Sequence, residues 1–275
     1  MRKLGLHLRI MQSIVDLIPQ ALELGIKDFQ CFMIHQMTGN YLELSQAEIN
    51  QFLAVRDECD MLYAHASYWI NLSGKDTAHT IHLLRRELEM AKSLHFNALV
   101  IHPGSATGWK TKQEGIEQFV RLFNELIKRE TSITFILENT AHGNATVGSD
   151  LEDLKAIHER LDHPEKVSFC LDTAHAYAYG YDISSTDAQQ NFMRLVESTL
   201  QTDRVSLIHL NDTNEKLGTK KDRHEMIGKG NLGEQALKEF TQTKSLAHAP
   251  IMLELPPICK EEQQEILEMV RSWCD

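Results

Sequence analysis

Eight short apolar runs, each followed by a longer segment of helical period, constrain this chain more than any other feature. The runs are Leu4–Leu8, Phe29–Ile34, Met61–Ala66, Ala98–His102, Thr134–Glu138, Val167–Asp172, Val205–Leu210 and Ile251–Leu255. Helical spacing follows near 12–24, 46–58, 77–94, 113–129, 150–161, 186–200, 233–244 and 260–272. A strand that returns parallel to its predecessor through a helix makes a right-handed βαβ unit, and eight such units in 275 residues predict a closed (β/α)₈ TIM barrel. An open doubly wound sheet is the competing fold.

No low-complexity linker divides the chain, so residues 1–275 are expected to form a single domain. Its 42% hydrophobic and 24% charged residues belong to a globular protein with a core, and no apolar run reaches the length of a membrane span. Five scattered cysteines (Cys31, Cys59, Cys170, Cys259, Cys274) show no C-x-x-C spacing, which suits a reducing, cytoplasmic setting and argues against a thiolate metal site. A formal charge of −11 excludes a general polyanion binder, though not one with a locally positive face.

The polar residues are placed unevenly. The carboxyl ends of six successive runs read YAHASY (His65), LVIHPGS (His102), FILENT (Glu138), FCLDTAH (Asp172, His175), LIHLND (His209) and IMLEL (Glu254). In a barrel these ends share one mouth, where chemistry collects. Asp222 and His224, two residues apart on a lysine-studded loop, are expected to enter the same mouth. Four carboxylates converging there would repel one another unless cations neutralised them, and imidazole with carboxylate suits Zn²⁺, with Mn²⁺ or Fe²⁺ as competitors. A lone histidine on an apolar run is more often a hydrogen-bonded core residue, so it is the convergence of several that points to metal. His7 is expected to line the mouth without being a ligand, and His79, His82, His95, His158, His163 and His248 to lie on solvated surface.

Gly228 to Gly233 spells G-x-G-x-x-G, but the residues before it, Asp-Arg-His-Glu-Met-Ile, are not the buried strand that a dinucleotide site requires. A compact turn that points backbone N–H groups and Lys229 at an anion is the better expectation. Lys216, Lys220, Lys221 and Arg223 add a basic rim on the same loop.

HPGS at 102–105, LENTA at 137–141, CLDTAHAYAYGYD at 170–182, HLNDT at 209–213 and GTKKDRHEMIGKGNLG at 218–233 resemble the endonuclease IV family of apurinic/apyrimidinic (AP) endonucleases, as a divergent member. The resemblance implies three zinc ions per chain: one on His65, His102 and Glu138, one on Glu138, Asp172, His209 and Glu254, and one on His175, Asp222 and His224. Glu138 would bridge the first two and be the catalytic residue. It also implies zinc-assisted hydrolysis of double-stranded DNA on the 5′ side of abasic sites in base excision repair, leaving a 3′-hydroxyl and a 5′-deoxyribose phosphate, together with clearing of blocked 3′ ends by a monomer. Tyr68, Arg223 and Lys229 would contact DNA. Three zincs would move the formal charge from −11 to −5, with the gain at the mouth.

Two loops depart from the family pattern. The family's Lys-Asn-x-Arg-x-Trp stretch, whose arginine enters the DNA, is replaced by CFMIHQMTGNYLELS, and the Ser-rich turn after the first strand by LRIMQS. Tyr68 would then carry more of the lesion grip, with Met37, Asn40 or Tyr41 as helpers. The alternative function is a divalent-metal sugar isomerase or epimerase of similar barrel fold, which has no evident use for Asp222 and His224.

Overall fold

The computed structural model describes residues 2–35, 40–128, 132–143 and 145–274. Eight parallel strands close into a barrel: β1 (Leu4–His7), β2 (Asp28–Phe32), β3 (Leu62–His65), β4 (Ala98–Ile101), β5 (Thr134–Glu138), β6 (Val167–Asp172), β7 (Val205–His209) and β8 (Ile251–Leu253). Each strand pairs with its neighbours in sequence, and β8 pairs with both β7 and β1, Leu4 standing opposite Ile251. That last pairing removes the open doubly wound alternative. Each strand lies within two residues of its expected bounds.

The surrounding helices are α1 (Leu17–Glu23), α2 (Gln46–Val55), α3 (Ala78–Ser93), α4 (Lys112–Ile127), α5 (Leu151–His158), α6 (Thr173–Tyr179), α7 (Thr186–Thr199), α8 (Gly233–Thr241) and α9 (Lys260–Trp273). Their starts are written locally. Ser45 with Glu48, and Thr111 with Glu114, form reciprocal capping boxes that satisfy the first N–H groups of α2 and α4. α6 is an addition to the expected set. It begins directly on β6, where the Asp172 carboxylate accepts the His175 N–H at 2.7 Å, and the short segment offers too few turns for helical periodicity to register.

Alternation along each strand sorts two cores. Outward side chains such as Leu6, Phe29, Leu62, Leu99, Phe135, Leu171 and Leu253 pack beneath the helices in the large cluster. Tyr63, Ala98, Val100, Ile136, Cys170, Leu207 and Met252 fill the barrel interior. One step further along the same inward-facing rows come His65, His102, Glu138, Asp172, His209 and Glu254. The barrel is therefore mostly apolar inside, and its ligand-type residues gather at its carboxyl end.

His158 departs from its expected surface position. It is buried, with its ring 5.3 Å from Phe169, Nε2 donating to Pro164 O at 3.1 Å and Arg204 packed on the ring. All five cysteines are free, and among the described residues no helix is long and apolar enough to cross a membrane.

Gly5 shows how tightly the interior closes. A Cβ there would lie 2.3 Å from the Asp28 carbonyl oxygen, which belongs to the paired strand and cannot yield as a side-chain tip could. Gly5→Ala is expected to destabilise the fold by about 1–3 kcal/mol, as overpacking does; urea unfolding measures it, and an unchanged midpoint would contradict the account.

Candidate metal centre

Glu138, wholly buried at the end of β5, is the centre of the mouth. Its Oε2 lies 3.0 Å from His65 Nε2 and 3.1 Å from His102 Nε2, and its Oε1 2.9 Å from His209 Nδ1 and 3.3 Å from His175 Nδ1. His209 Nδ1 also faces Glu254 Oε2 at 3.6 Å and Asp172 Oδ2 at 3.9 Å. Ligand atoms of His65, His102 and Glu138 form one compact group, and those of Glu138, Asp172, His209 and Glu254 a second.

Asp222 arrives from the other side. Its Oδ2 is 3.2 Å from His175 Nε2 and its Oδ1 3.3 Å from His224 Nε2, while Asp172 Oδ2 is 3.8 Å from the same His224 atom. Asp172, His175 and His224 make a compact group of their own. The structure thus brings together all nine side chains singled out in the sequence, with Asp172 standing between the second and third sets.

These distances suit a bound cation. Tetrahedral ligands about 2.0–2.1 Å from zinc stand about 3.3–3.4 Å from one another. Moreover, His102 Nε2, His175 Nε2 and His224 Nε2 are buried without a hydrogen-bond partner, although each lies within 3.3 Å of a carboxylate oxygen. Ring nitrogens buried without a partner beside carboxylate oxygens meet the demands of metal ions.

The electrostatics agree. Burial alone would raise the Glu138 carboxyl, but the imidazoles of His209 and His102 hold it well below the usual carboxylate range. Burial likewise opposes a charged His175, yet Asp172 and Asp222 keep that ring well above its ordinary value. At Asp172 burial dominates, and the carboxyl is pushed up. Protonated imidazoles neutralise the carboxylates where a divalent cation would do so, and cation binding would release those protons.

Second partners fix the ligands. His65 Nδ1 donates to Ala66 O at 2.8 Å, and His175 Nδ1 to Asn139 O at 2.8 Å, which leaves each Nε2 turned to the cluster. Asn211 Nδ2 donates to Asp172 Oδ2 at 2.6 Å and to Glu254 Oε2 at 3.2 Å, while its Oδ1 accepts the Glu254 N–H at 2.8 Å. Asn211 was visible in HLND, but an amide beside a ligand carries no distinguishing spacing.

The glycine turn also finds an anion, and it is an internal one. The buried Asp212 carboxylate accepts the N–H groups of Gly228 and Gly230 at 3.0 Å, Leu232 at 3.1 Å, Gly233 at 3.2 Å and Thr213 at 2.8 Å. A Cβ on Gly230 would meet Asp212 Oδ1 at 2.4 Å, so only glycine allows the wrap. Lys229 takes no part in this cradle and is exposed. Asp212–Thr213 pairs antiparallel with His224–Glu225, so the same carboxylate anchors the ribbon that carries Asp222 and His224 to the mouth.

A cavity of about 340 Å³ at the mouth is lined by His7, Arg9, Phe32, His65, Tyr68, His102, His175, Asp222, His224 and Glu254, and one of about 500 Å³ adjoins it along Ser67–Asn71 and Gly104–Ser105. Tyr68 borders both, 72% exposed, with its ring 5.0 Å from Phe32. Arg223 and Lys229 line neither cavity; Arg223 is exposed on the loop, 3.6 Å from Glu215. Tyr41 lies under the Arg86 guanidinium, 4.3 Å from the ring centre, Asn40 is exposed, and Met37 falls outside the described residues. Sequence reasoning missed Arg9, Gln30, Phe32, Trp69 and Asn139. Arg9 and Trp69 sit in loops with no periodicity, and Gln30 reads as an interruption within an apolar run.

Asp212→Asn places an N–H₂ among backbone N–H groups. Hydrogen bonds to a charged group are worth about 1.5–3 kcal/mol each, so this variant is expected to lose at least about 2 kcal/mol of stability and to hold divalent metal on the ribbon more weakly. Thermal unfolding with metal analysis checks both.

Comparison with known proteins now bears on this geometry. A family model described as a xylose isomerase-like TIM barrel matches residues 18–273. A probable endonuclease 4 of Campylobacter concisus is 33% identical, covering 92% of each chain, and one of Thermotoga maritima is 32% identical, covering 97% of this chain and 95% of its own. The crystal structure of endonuclease IV from Thermus thermophilus superposes with a TM-score of 0.85 at 28% identity, covering 98% of both chains. With the barrel, the mouth and these relatives in agreement, the chain belongs to the endonuclease IV family.

Proposed function

We propose that this chain, acting as a single-domain monomeric cytoplasmic enzyme, is a zinc-dependent AP endonuclease. It hydrolyses the DNA phosphodiester 5′ to abasic sites, leaving a 3′-hydroxyl and a 5′-deoxyribose phosphate, and clears blocked 3′ ends. The observation that carries this reading is the convergence of five imidazoles and four carboxylates on one buried mouth, with three ring nitrogens unpartnered. His65, His102 and Glu138 would hold one ion, Glu138, Asp172, His209 and Glu254 a second, and His175, Asp222 and His224 a third.

Zinc in such a site supplies Lewis acidity and water activated near neutral pH. The protein's part is orientation and charge. Glu138, with its two oxygens facing different imidazoles, fixes the spacing of two ligand sets. Ala66 O and Asn139 O hold His65 and His175 in the tautomer that a metal needs. Arg9 at the mouth, with exposed Arg223 and Lys229 on the ribbon loop, offers cations to the phosphate backbone. Tyr68 and its neighbour Trp69, 72% and 68% exposed, present faces on which unstacked bases rest.

A sugar isomerase or epimerase would use Glu138, Asp172, His209 and Glu254 around one or two metals and leave Asp222 and His224 idle. About three metals per chain against one or two separates the readings. Purified protein is expected to cut an abasic duplex without added Mg²⁺. Full activity after verified removal of all transition metal would refute metal dependence.

Glu138→Gln should keep the fold and lose cleavage by several orders of magnitude, because an amide cannot supply the negative charge shared by two sites. Near-parental turnover at full metal loading would overturn the role given to Glu138. Tyr68→Ala should weaken binding of abasic duplex by about tenfold or more, since stacking on an aromatic is worth roughly 1–3 kcal/mol per base, while metal content stays constant. Equal binding by variant and parent would mean that another element grips the lesion.

A further inference from the structure

Gln30, on β2 and wholly buried, is tied to three mouth residues without itself being of metal-ligand type. Its Oε1 lies 3.0 Å from His209 Nε2, and its Nε2 lies 2.6 Å from Glu254 Oε1 and 2.9 Å from His7 Nδ1. His209 turns its other nitrogen, Nδ1, to the oxygens of Glu138, Glu254 and Asp172.

We propose that Gln30 is a positioning residue for the second metal site, selecting the ring nitrogen that His209 offers and orienting Glu254. The inference rests on the metal-enzyme reading above, and it follows from counting donors and acceptors. If His209 Nδ1 gives its lone pair to a metal, Nε2 carries the hydrogen and needs an acceptor. The amide oxygen of Gln30 is that acceptor. The opposite amide orientation would set N–H₂ against N–H at His209 and carbonyl against carboxylate at Glu254, so the hydrogen-bond pattern fixes it.

The amide nitrogen then donates to Glu254 Oε1 and lies 2.9 Å from His7 Nδ1. His7 Nδ1 lies between that amide and Glu254 Oε1, 3.2 Å away, while its ring centre is 4.6 Å from that of Phe32. Two ligands of one site and a neighbouring histidine are thus tied by a single amide, which no other side-chain type of this size could do: a carboxylate lacks the donors and a leucine lacks both functions.

Two measurements on the metal-loaded protein test this. ¹⁵N NMR of imidazole-labelled protein is expected to show His209 protonated at Nε2. Gln30→Leu, which preserves bulk and removes both functions, is expected to bind its weakest-held metal about 10–100-fold less tightly in competition with a chelator, the usual consequence of losing a ligand's outer partner. Its metal-free form should unfold within about 4 °C of the parent, a small shift for a domain of this size. A merely structural role would lower that stability and leave the His209 tautomer unassigned. Unchanged metal affinity in Gln30→Leu, or a His209 bare at Nε2 in the parent, overturns the proposal; should the variant not fold, the NMR measurement on the parent decides alone. Neither measurement needs DNA, so failure of the parent to cut an abasic duplex would sink the enzyme reading separately.

Discussion

Three carboxylates held within a few ångströms of one another in a buried mouth, and a fourth tied to them through shared imidazoles, are the constraint on which the rest of the structure depends. Glu138, Asp172 and Glu254 end inward-facing rows, and Asp222 enters from the ribbon. Such a group could not remain charged on its own, because desolvation and mutual repulsion both favour neutral acids. Five imidazoles are interleaved with it, each within 4 Å of at least one carboxylate oxygen. The centre is therefore built for positive charge from outside, and its neighbours make sense as devices that keep this crowded arrangement in one geometry.

Those devices are amides and backbone groups, which carry no net charge. Asn211 spans Asp172 and Glu254, Asn139 holds His175 and the Asp172 backbone, and Gln30 spans His209 and Glu254. A lysine or arginine in any of these places would neutralise a carboxylate and compete with the metal. An amide satisfies hydrogen bonds and leaves the charge balance of the centre to the ion. Asp212 is the exception, and its position explains why: its charge is consumed by five backbone N–H groups on the ribbon turn, away from the centre.

The barrel and its ligand-type residues were legible because they obey a period. Reading the carboxyl end of each apolar run singles out His65, His102, Glu138 and Asp172 from sequence alone, and barrel closure gathers those ends. What supports the ligands was not legible. Gln30 is an interruption in FQCFMI, Asn139 and Asn211 are ordinary polar residues after a strand, and their value lies in contacts across β-strands distant in sequence. The glycine turn is recognisable as an anion cradle, but the expectation of an external anion fails. From sequence, its backbone donors have no visible target; only the β-pairing of Asp212–Thr213 with His224–Glu225 delivers the carboxylate to them. His158 misleads for a related reason, since its burial depends on Phe169 and Arg204 from other elements.

The same logic explains why two loops can depart from the family while the mouth does not. Six of the nine ligand-type residues, His65, His102, Glu138, Asp172, His209 and Glu254, sit at strand ends whose positions are set by closure, so moving one disturbs the ring of pairings from β1 to β8. Residues that would grip DNA sit on loops that closure leaves unconstrained. Tyr68 and Trp69 project from the turn after β3, Met11 from the turn after β1 and Leu217 from the turn after β7. Four of the five large hydrophobic side chains exposed among the described residues thus stand on loops at the carboxyl end of the barrel, with Leu22 on α1 the fifth. Scattered exposed hydrophobics need no explanation, but their concentration on the face that holds the metal centre does. An apolar rim around a centre that would carry metal cations suits a polyanion whose bases can be unstacked, and it offers contacts that do not add to the chain's net charge. On the function proposed above, a chain with formal charge −11 would engage DNA through local cations and stacking faces, without a basic surface overall.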